Sequence, residues 1–344
     1  MKIHKLQGGA AFVVVDLDGA ERATGIVRVA PKILQGGAKA LARTTTYAFA
    51  SLEQQGSGAS AGVNAEPAAR AEALAGFAEE AAALAAAGLP LDGIALDPGP
   101  GVDAAALEPL TSLDTRGSLR HTDVGGVTLD TDLAGLGAAV AAAAACGGLD
   151  GRTVAIEGFG PATGPLVRAV AERGATIVAL SGPKGTAVDA DGLDPAVAAR
   201  GGAAVAELTD APEPAAALLG VDADVVFCGS KQGMIDGDAA EALGARVVVP
   251  VGCQPISAKG LAVLRRRDIV ALPDFLTTLG PLLAWWPADD ATVESARAAV
   301  TTTVSDLVAE VLGHDDGPLL AACYRAEAFL GTWCDEMPFG RPLA

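Results

Sequence analysis

The sequence predicts an α/β protein of two domains, the second of which is built on a doubly wound parallel sheet. From about residue 151 to 275, short β-branched runs alternate with apolar helical segments, which is typical of repeated βαβ units. The first 150 residues lack this alternation and must form a different arrangement. A length of 344 residues also favours two domains over one.

The first half of the chain mixes strands and helices less regularly. The predicted elements are strands over 11–15, 25–30 and 94–96 and helices over 38–53, 67–87, 103–112 and 132–146. Pro67 suits the first position of its helix, and the turn Asp97-Pro98-Gly99 ends the last of these strands. We expect residues 1–130 to form the first domain, with a sheet built from these three strands.

In the second half of the chain, predicted strands and helices alternate strictly. Its predicted strands lie near 153–156, 176–180, 224–227, 246–250 and 269–272, with helices between them and further helices over 293–313 and 317–331. We expect residues 131–290 to form a Rossmann-type domain and residues 291–344 to add C-terminal helices.

A glycine-rich turn joins the first strand and the first helix of this second domain. Glycines at such a turn let the backbone approach a pyrophosphate, whose charge then lies at the free N–H groups of the helix start. The alternative is a turn that keeps this shape without binding a ligand. The predicted cofactor-binding residues of the turn are Gly158, Phe159, Gly160, Pro161, Ala162 and Thr163.

Composition excludes several classes of partner. A formal charge of −18 repels phosphate backbones, so we expect no nucleic acid partner. Five cysteines without a CxxC pair and only three histidines predict no metal site and favour a reducing cytoplasm. The N-terminus lacks the apolar core of a signal peptide, and the Ala-rich stretch 133–146 is too short to span a bilayer, so we expect no membrane partner.

Several segments, in the same order as in the family, resemble the glutamate/leucine/phenylalanine/valine dehydrogenases. They are Gly151–Gly164, Ala179–Asp194, Arg246–Pro255 and Ile269–Gly280. The resemblance implies an N-terminal substrate and oligomerisation domain, a Rossmann domain that binds NAD or NADP, and an active site in the cleft between them. It further implies that the helices of 291–344 pack back toward that cleft and that the protein is a homo-oligomer.

The resemblance also implies which positions should carry the family's chemistry. Two lysines are expected, one that binds the substrate carboxylate and one that activates water or the carbonyl. Ala48 stands in the first lysine slot and Ser60 in the second, and a hydroxyl is neither charged nor a useful base near neutral pH. Ser60 is then either a spacer or a hydrogen-bonding group. Lys39 occupies a slot that the family fills with Arg, and it either binds a carboxylate or is a solvated surface lysine.

Other slots carry further candidates. Asp97 matches the family's acid/base aspartate, with a simple turn-forming role as the alternative. Thr278 replaces an Asn near the nicotinamide and substrate. Cys253 replaces an Asn of the Val-Glu-Gly-Ala-Asn-x-Pro segment, which makes it a candidate cofactor-binding residue; the alternative is that it is a small buried hydrophobe.

The end of the second strand bears on cofactor choice. NAD-binding proteins usually place an Asp or Glu there for the ribose 2′-hydroxyl, whereas this chain has Ser181 and, three residues later, Lys184. A cation suits a 2′-phosphate, so we expect NADP to bind at least as well as NAD. The alternative is that Lys184 is an ordinary loop residue.

Together these residues predict an NAD(P)-dependent oxidoreductase that acts on the CH–NH₂ or C=N group of a substrate resembling an amino or imino acid. Because both lysine slots lack a charge, we expect no ordinary oxidative deamination. Reduction of a preformed imine fits better, since hydride delivery needs positioning more than an activated water. Two alternatives stay open: a catalytically silent relative that binds a ligand or a partner, and a non-redox enzyme that uses the same cleft.

Overall fold

A computed structural model describes residues 1–17, 19–88, 91, 93–337 and 340–343. The chain divides into two compact units. The first unit comprises Met1–Arg116 and Arg325–Pro342, and the second comprises Gly117–Tyr324 with Leu343. The boundary between the units thus lies between residues 116 and 117, whereas the sequence analysis expected it near residue 130. A C-terminal segment is grouped with the first unit.

The first unit is a mixed sheet with helices on both faces. Its strands are β1 (Lys2–Leu6), β2 (Ala11–Val15), β3 (Arg22–Ala30), β4 (Gly56–Asn64) and β5 (Ile94–Pro98), and its helices are α1 (Gln35–Ser51), α2 (Arg70–Ala86) and the single turn α3 (Glu108–Thr111). The strand order is β1-β2-β4-β3-β5, with β4, β3 and β5 parallel and the rest antiparallel.

The strand β4 lies at the centre of this sheet, although the sequence predicted no strand there. Its run Gly-Ser-Gly-Ala-Ser-Ala-Gly has few of the β-branched residues that signal a strand. The glycines are required by packing, because a Cβ atom on Gly58 would lie 1.8 Å from the carbonyl oxygen of Ala42 in α1. Helix α1 thus lies directly against the backbone of β4. The edge strand β1 was also missed.

The second unit contains the predicted parallel sheet. Its strands are β6 (Asp123–Val124), β7 (Val127–Thr128), β8 (Thr153–Glu157), β9 (Thr176–Gly182), β10 (Gly185–Val188), β11 (Val225–Cys228), β12 (Val247–Pro250) and β13 (Val270–Ala271). Its helices are α4 (Leu129–Cys146), α5 (Thr163–Ala171), α6 (Pro195–Ala198), α7 (Val205–Leu208), α8 (Gly237–Ala242), α9 (Ala258–Arg266), α10 (Asp274–Thr277), α11 (Leu282–Trp285) and α12 (Val293–Leu312). Helix α13 (Pro318–Leu330) ends within the first unit.

The sheet order in this unit is β10-β9-β8-β11-β12-β13. All neighbours pair in parallel except β9 and β10, which form an antiparallel hairpin. The strand order reverses at β8, so the carboxyl ends of β8 and β11 flank the switch point where open α/β sheets bind ligands. The predicted α/β class and Rossmann-type sheet are confirmed, and only the hairpin strand β10 was missed in this sheet.

Helix α4 is the one described helix that is long and apolar enough to cross a membrane by length and composition. Most of its residues are buried, among them Leu133, Leu136 and Val140. Its apolar character is therefore that of a core helix, which packs on α5 and α12.

Candidate functional site

The glycine turn of the second unit has the geometry of a phosphate-binding loop. Strand β8 ends at Glu157 and helix α5 begins at Thr163, so the turn consists of residues 158–162. A Cβ atom on Gly160 would meet no described atom within 4 Å, and Phe159 is 47% exposed. Within the described residues, the N–H groups of Phe159 and Gly160 donate no hydrogen bond. The turn therefore presents open backbone beside a helix start.

Two other glycines hold this turn against the sheet. Gly158 donates its N–H to the carbonyl of Ser181 at 2.9 Å and accepts from the N–H of Gly202 at 2.8 Å. A Cβ atom on Gly182 would lie 2.1 Å from the carbonyl oxygen of Gly202. No side chain, acidic or otherwise, fits at position 182. Ser181 itself is 1% exposed, so it positions the turn through its backbone, and its buried hydroxyl is not on the surface open to a ligand.

Lys184 lies at the tip of the β9–β10 hairpin. The hairpin pairs Gly182 with Gly185, which leaves Pro183 and Lys184 as its two turn residues. Lys184 is exposed and forms no ion pair within the described part of the chain. It is thus a free cation two residues beyond the end of the second parallel strand, where the sequence analysis expected it.

The carboxyl ends of the neighbouring strands are closed by loops that pack tightly. The Glu157 carboxylate accepts from the N–H of Gly229 at 2.7 Å, from the N–H of Ser230 at 2.8 Å and from the Ser230 hydroxyl. A Cβ atom on Gly252 would lie 2.2 Å from the carbonyl oxygen of Gly229, so the loops after β11 and β12 touch through glycine. Burial raises the pKa of the Cys228 thiol, and Glu157 raises it further, which makes this thiol inert.

The two other candidates from this region occupy the adjoining segments. Cys253 is half-buried and follows Gly252 in the loop after β12. Thr278 follows α10, and its hydroxyl donates to the carbonyl of Asp274 at 2.8 Å. This bond fills the hydroxyl's single donor, so Thr278 keeps only acceptor capacity for a ligand.

In the first unit, register brings two predicted residues into one row. Ile26 of β3 pairs with Ser60 of β4 on one side and with Asp97 of β5 on the other. Because paired residues of neighbouring strands point to the same face, Ser60 and Asp97 lie on one face of the sheet with Ile26 between them. Gly58, two residues before Ser60, touches α1, which identifies this as the α1 face.

Asp97 is held by a buried arginine. The Arg116 guanidinium donates from Nη1 to Asp97 Oδ2 at 2.6 Å and from Nη2 to Oδ1 at 2.7 Å. It also donates to both oxygens of Asp114. The Arg116 side chain is 0% exposed, whereas that of Asp97 is 26% exposed. Burial alone would lower the pKa of Arg116, but the hydrogen bonds that it donates to Asp114 and Asp97 outweigh this effect and raise the pKa.

The remaining candidates of this unit differ in accessibility. Ser60 is 0% exposed, and its hydroxyl has no hydrogen-bond partner within the described residues. Ala48 is buried in α1, whereas Lys39 is exposed on the same helix. Register therefore places Ser60 and Asp97 together, whereas no hydrogen bond or ion pair among the described residues links Lys39 to this row.

Sequence reasoning missed Arg116 and Asp114. Both follow β5 in a loop without a recognisable motif, and only the folded chain brings Arg116 to Asp97. The one available signal was the pairing of Asp114 and Arg116 within a short polar stretch after the Asp97 turn. Among the described residues, no group of three His, Cys, Asp or Glu side chains could hold a metal ion.

Comparison with known proteins agrees with this geometry. A model of the glutamate/leucine/phenylalanine/valine dehydrogenase family matches residues 125–284. NAD-specific glutamate dehydrogenase A of Halobacterium salinarum is 32% identical over 135 residues, which are 38% of this chain and 31% of that protein. Glutamate dehydrogenase of Aeropyrum pernix is 27% identical over 172 residues, 48% of this chain and 41% of that protein. The chain thus matches about a third to two-fifths of the length of these curated relatives.

Solved structures resemble a larger share of the chain. A hetero-hexameric glutamate dehydrogenase from Thermus thermophilus, in a leucine-bound form, has a TM-score of 0.74 at 21% identity and covers 92% of this chain and 82% of that one. An L-tryptophan dehydrogenase from Nostoc punctiforme has a TM-score of 0.62 at 16% identity and covers 96% and 94%. At these identities the likeness establishes the fold, and the family resemblance found in the sequence is confirmed.

Proposed function

We propose that this protein, whose residues 125–284 match a model of the glutamate/leucine/phenylalanine/valine dehydrogenase family, is an NAD(P)-dependent oxidoreductase that reduces a preformed imine and performs no ordinary oxidative deamination. The observation that carries this proposal is the bidentate ion pair between Arg116 and Asp97. It supplies an anionic side chain at the position where the family resemblance leaves an acidic candidate.

The glycine turn supports the cofactor part of the proposal. The open space at Gly160 and the free N–H groups of Phe159 and Gly160 fit a pyrophosphate at the start of α5. Lys184 is the residue to meet a 2′-phosphate, and the exclusion of any side chain at Gly182 removes the usual acidic partner of an NAD ribose. One curated relative is named as NAD-specific and another as NADP-specific. When bound, NAD(P)H supplies the hydride.

Asp97 determines what kind of substrate fits. The Asp97 carboxylate accepts from both terminal nitrogens of a buried Arg, which fixes its orientation as a hydrogen-bond acceptor at an accessible surface. We therefore assign Asp97 the task of holding a cationic nitrogen, in place of the proton-donating role suggested by the family slot. A protonated imine carries that charge, and addition of a hydride to its carbon gives a neutral amine without a further proton.

Ordinary deamination asks for two charges that are missing. Ala48 and Ser60 are both buried and uncharged, so neither can hold a substrate carboxylate or activate a water. Losing a buried charge-assisted contact costs about 2–5 kcal/mol, and losing a general base costs a further factor of about 10²–10⁴. These losses favour a substrate that arrives with its C=N bond already formed.

Two further properties belong to the proposal. We place the protein in the cytoplasm, which its five free cysteines support. We also propose a homo-oligomer, as the family resemblance implies. The structurally similar glutamate dehydrogenase from Thermus thermophilus is named as a hetero-hexamer, which supports assembly into an oligomer but not the identity of its subunits.

Binding titrations with NAD⁺, NADH, NADP⁺ and NADPH test the proposal. We expect saturable binding of at least one oxidised and reduced pair, lost in Gly160→Asp, where the new carboxylate would face the phosphate. Gly220→Asp is the matched control, since a Cβ atom there also meets no described atom within 4 Å. Failure of all four dinucleotides to bind would contradict the proposal and favour the catalytically silent alternative.

A further inference from the structure

A cavity lies within the second unit, and none of its lining residues belongs to the glycine turn or to the row of Ser60 and Asp97. It encloses about 200 Å³ and is bounded by the β6–β7 hairpin, α4, α5 and α12. Its charged lining residues are Asp132, Arg168, Glu172 and Arg297. Its apolar lining consists mainly of Val124, Leu136, Pro165 and Ala169.

Arg168 is the unexplained group in this cavity. It is half-buried, yet within the described residues its guanidinium makes no hydrogen bond and no ion pair. Arginine is seldom withdrawn from water without a partner. The Arg168 guanidinium lies near two glycines: Cβ atoms on Gly164 and Gly125 would be 3.6 and 3.8 Å from its nitrogens. It is thus enclosed between the first turn of α5 and the tip of the β6–β7 hairpin.

The neighbouring charges leave this arginine as the available cation. Arg297 is already paired with the buried carboxylate of Asp132, although a third of its side chain stays exposed. Glu172 is exposed at the rim, where water screens its charge. Arg173, just outside, is half-buried and donates to the carbonyl of Ala169 at 2.8 Å. Three arginines therefore surround two carboxylates, in a chain whose overall charge is −18.

From the unpartnered Arg168 guanidinium, with Arg297 and an apolar wall beside it, we propose that this cavity binds a small molecule carrying a compact oxyanion, a carboxylate or a phosphate, on a short apolar body. The planar guanidinium accepts such a group in a bidentate manner. A cavity of about 200 Å³ is smaller than the roughly 300–1,000 Å³ pockets that hold drug-sized ligands, so it suits a ligand much smaller than a dinucleotide. The site is therefore separate from the glycine turn at the start of α5.

Helix α5 would then contact two ligands. The turn before α5 is the proposed pyrophosphate site, and Arg168 lies one helical turn further along the same helix. A ligand on Arg168 would contact α5 and the β6–β7 hairpin together, and so would stabilise the helix that carries the turn. This inference does not depend on the proposed imine reduction, because the cavity residues are not part of that site.

Thermal unfolding of the full chain at constant ionic strength, titrated with butyrate, acetate and methyl phosphate, tests the inference. We expect saturable stabilisation by butyrate, at a concentration up to about 15-fold lower than for acetate, because butyrate has two further CH₂ groups and each adds about 0.8 kcal/mol when it is buried. Methyl phosphate distinguishes a phosphate head from a carboxylate, and butylammonium is the charge control that should not bind.

Matched variants locate the binding. Arg168→Gln should weaken binding of the oxyanion at least 10-fold. Arg168→Lys, which keeps the charge but loses the paired donors of the guanidinium, should weaken it to an intermediate extent. Arg152→Gln is the control, since Arg152 is an exposed arginine of the same unit, paired with Asp224. Saturable binding that Arg168→Gln leaves unchanged, or no saturable binding of any oxyanion, would overturn the inference.

Discussion

Arg116 and Asp97 form a bidentate ion pair, with Nη1–Oδ2 and Nη2–Oδ1 distances of 2.6 and 2.7 Å. Asp114 accepts from the same guanidinium, so a buried cation is shared between two carboxylates. Only Asp97 extends its carboxylate toward an accessible surface, with 26% of the side chain exposed. The pair therefore presents one anion held in a fixed orientation, and this anion is the feature on which the proposed substrate class depends.

Arg116→Met should destabilise the first unit by about 3 kcal/mol, because it leaves two carboxylates without their buried counter-charge. Chemical denaturation of the full chain measures this loss. The control is Arg152→Gln, which removes an exposed ion pair and should cost less than about 1 kcal/mol. Equal losses in the two variants would show that the Arg116 cluster does not stabilise the fold.

Substitutions of Gly160, in the turn, and of Gly182, which packs beside it at the end of β9, should have different effects. Gly160→Ala should leave stability within about 0.5 kcal/mol of the parent, because its Cβ atom meets nothing within 4 Å, and yet should weaken any dinucleotide. Gly182→Ala should destabilise the second unit by about 1–3 kcal/mol, because its Cβ atom would lie 2.1 Å from the Gly202 carbonyl. Thermal unfolding and NADPH titration of both variants check this, and a stable Gly182→Ala protein would contradict the packing described for β9.

Lys184→Ala should reduce discrimination in favour of NADP over NAD. The lysine is exposed, so its contact with a 2′-phosphate is worth about 1 kcal/mol, or roughly fivefold in affinity. Titration of the parent and of Lys184→Ala with NADPH and NADH gives the ratio of the two affinities. Raising the ionic strength should diminish this ratio in the parent. An unchanged ratio in Lys184→Ala would identify Lys184 as a bystander.

Asp224 should give stability a dependence on pH. Its carboxylate accepts from the N–H of Thr153 at 3.0 Å, and this bond, opposed by desolvation and aided by Arg152, lowers the pKa of Asp224. A pKa below that of the unfolded chain means that the contribution is present above about pH 4 and is lost as pH falls through the folded-state pKa.

Asp224→Asn therefore should cost about 1 kcal/mol at pH 7, and the difference from the parent should shrink in acid. Urea denaturation at pH 7, 5 and 3 checks the trend. A difference that stayed constant or grew as the pH fell would contradict the assignment.

The parts of the fold with a strong local pattern could be predicted from the sequence. The strands β8 and β9 were predicted within two residues because their β-branched residues are buried on both faces. Strand β4 was missed, since its glycines reflect the close approach of α1, and that contact involves residues distant in sequence. Local propensity does not contain such information.

The candidate site likewise contains some residues that could be predicted from the sequence and others that could not. The glycine turn was predictable, because strand, glycines and helix start follow one another along the chain. Arg116 was not, because its significance depends on the Asp97 carboxylate, which the fold brings to it. The burial of Ser60 under α1 was likewise invisible, and so the sequence left open a direct hydrogen bond to substrate that a fully buried hydroxyl does not offer.

Steady-state kinetics of the two competing reactions test the central claim most directly. The full-length protein is assayed with NADPH and NADH against 1-pyrroline, a cyclic imine without a carboxylate, and with NADP⁺ and NAD⁺ against glutamate, leucine, phenylalanine and valine. The account predicts that kcat/KM for imine reduction exceeds that for deamination of each amino acid by at least about 10²-fold, which is the lower bound for a missing general base. Deamination of any of the four with a kcat/KM equal to or above that for the imine would contradict it.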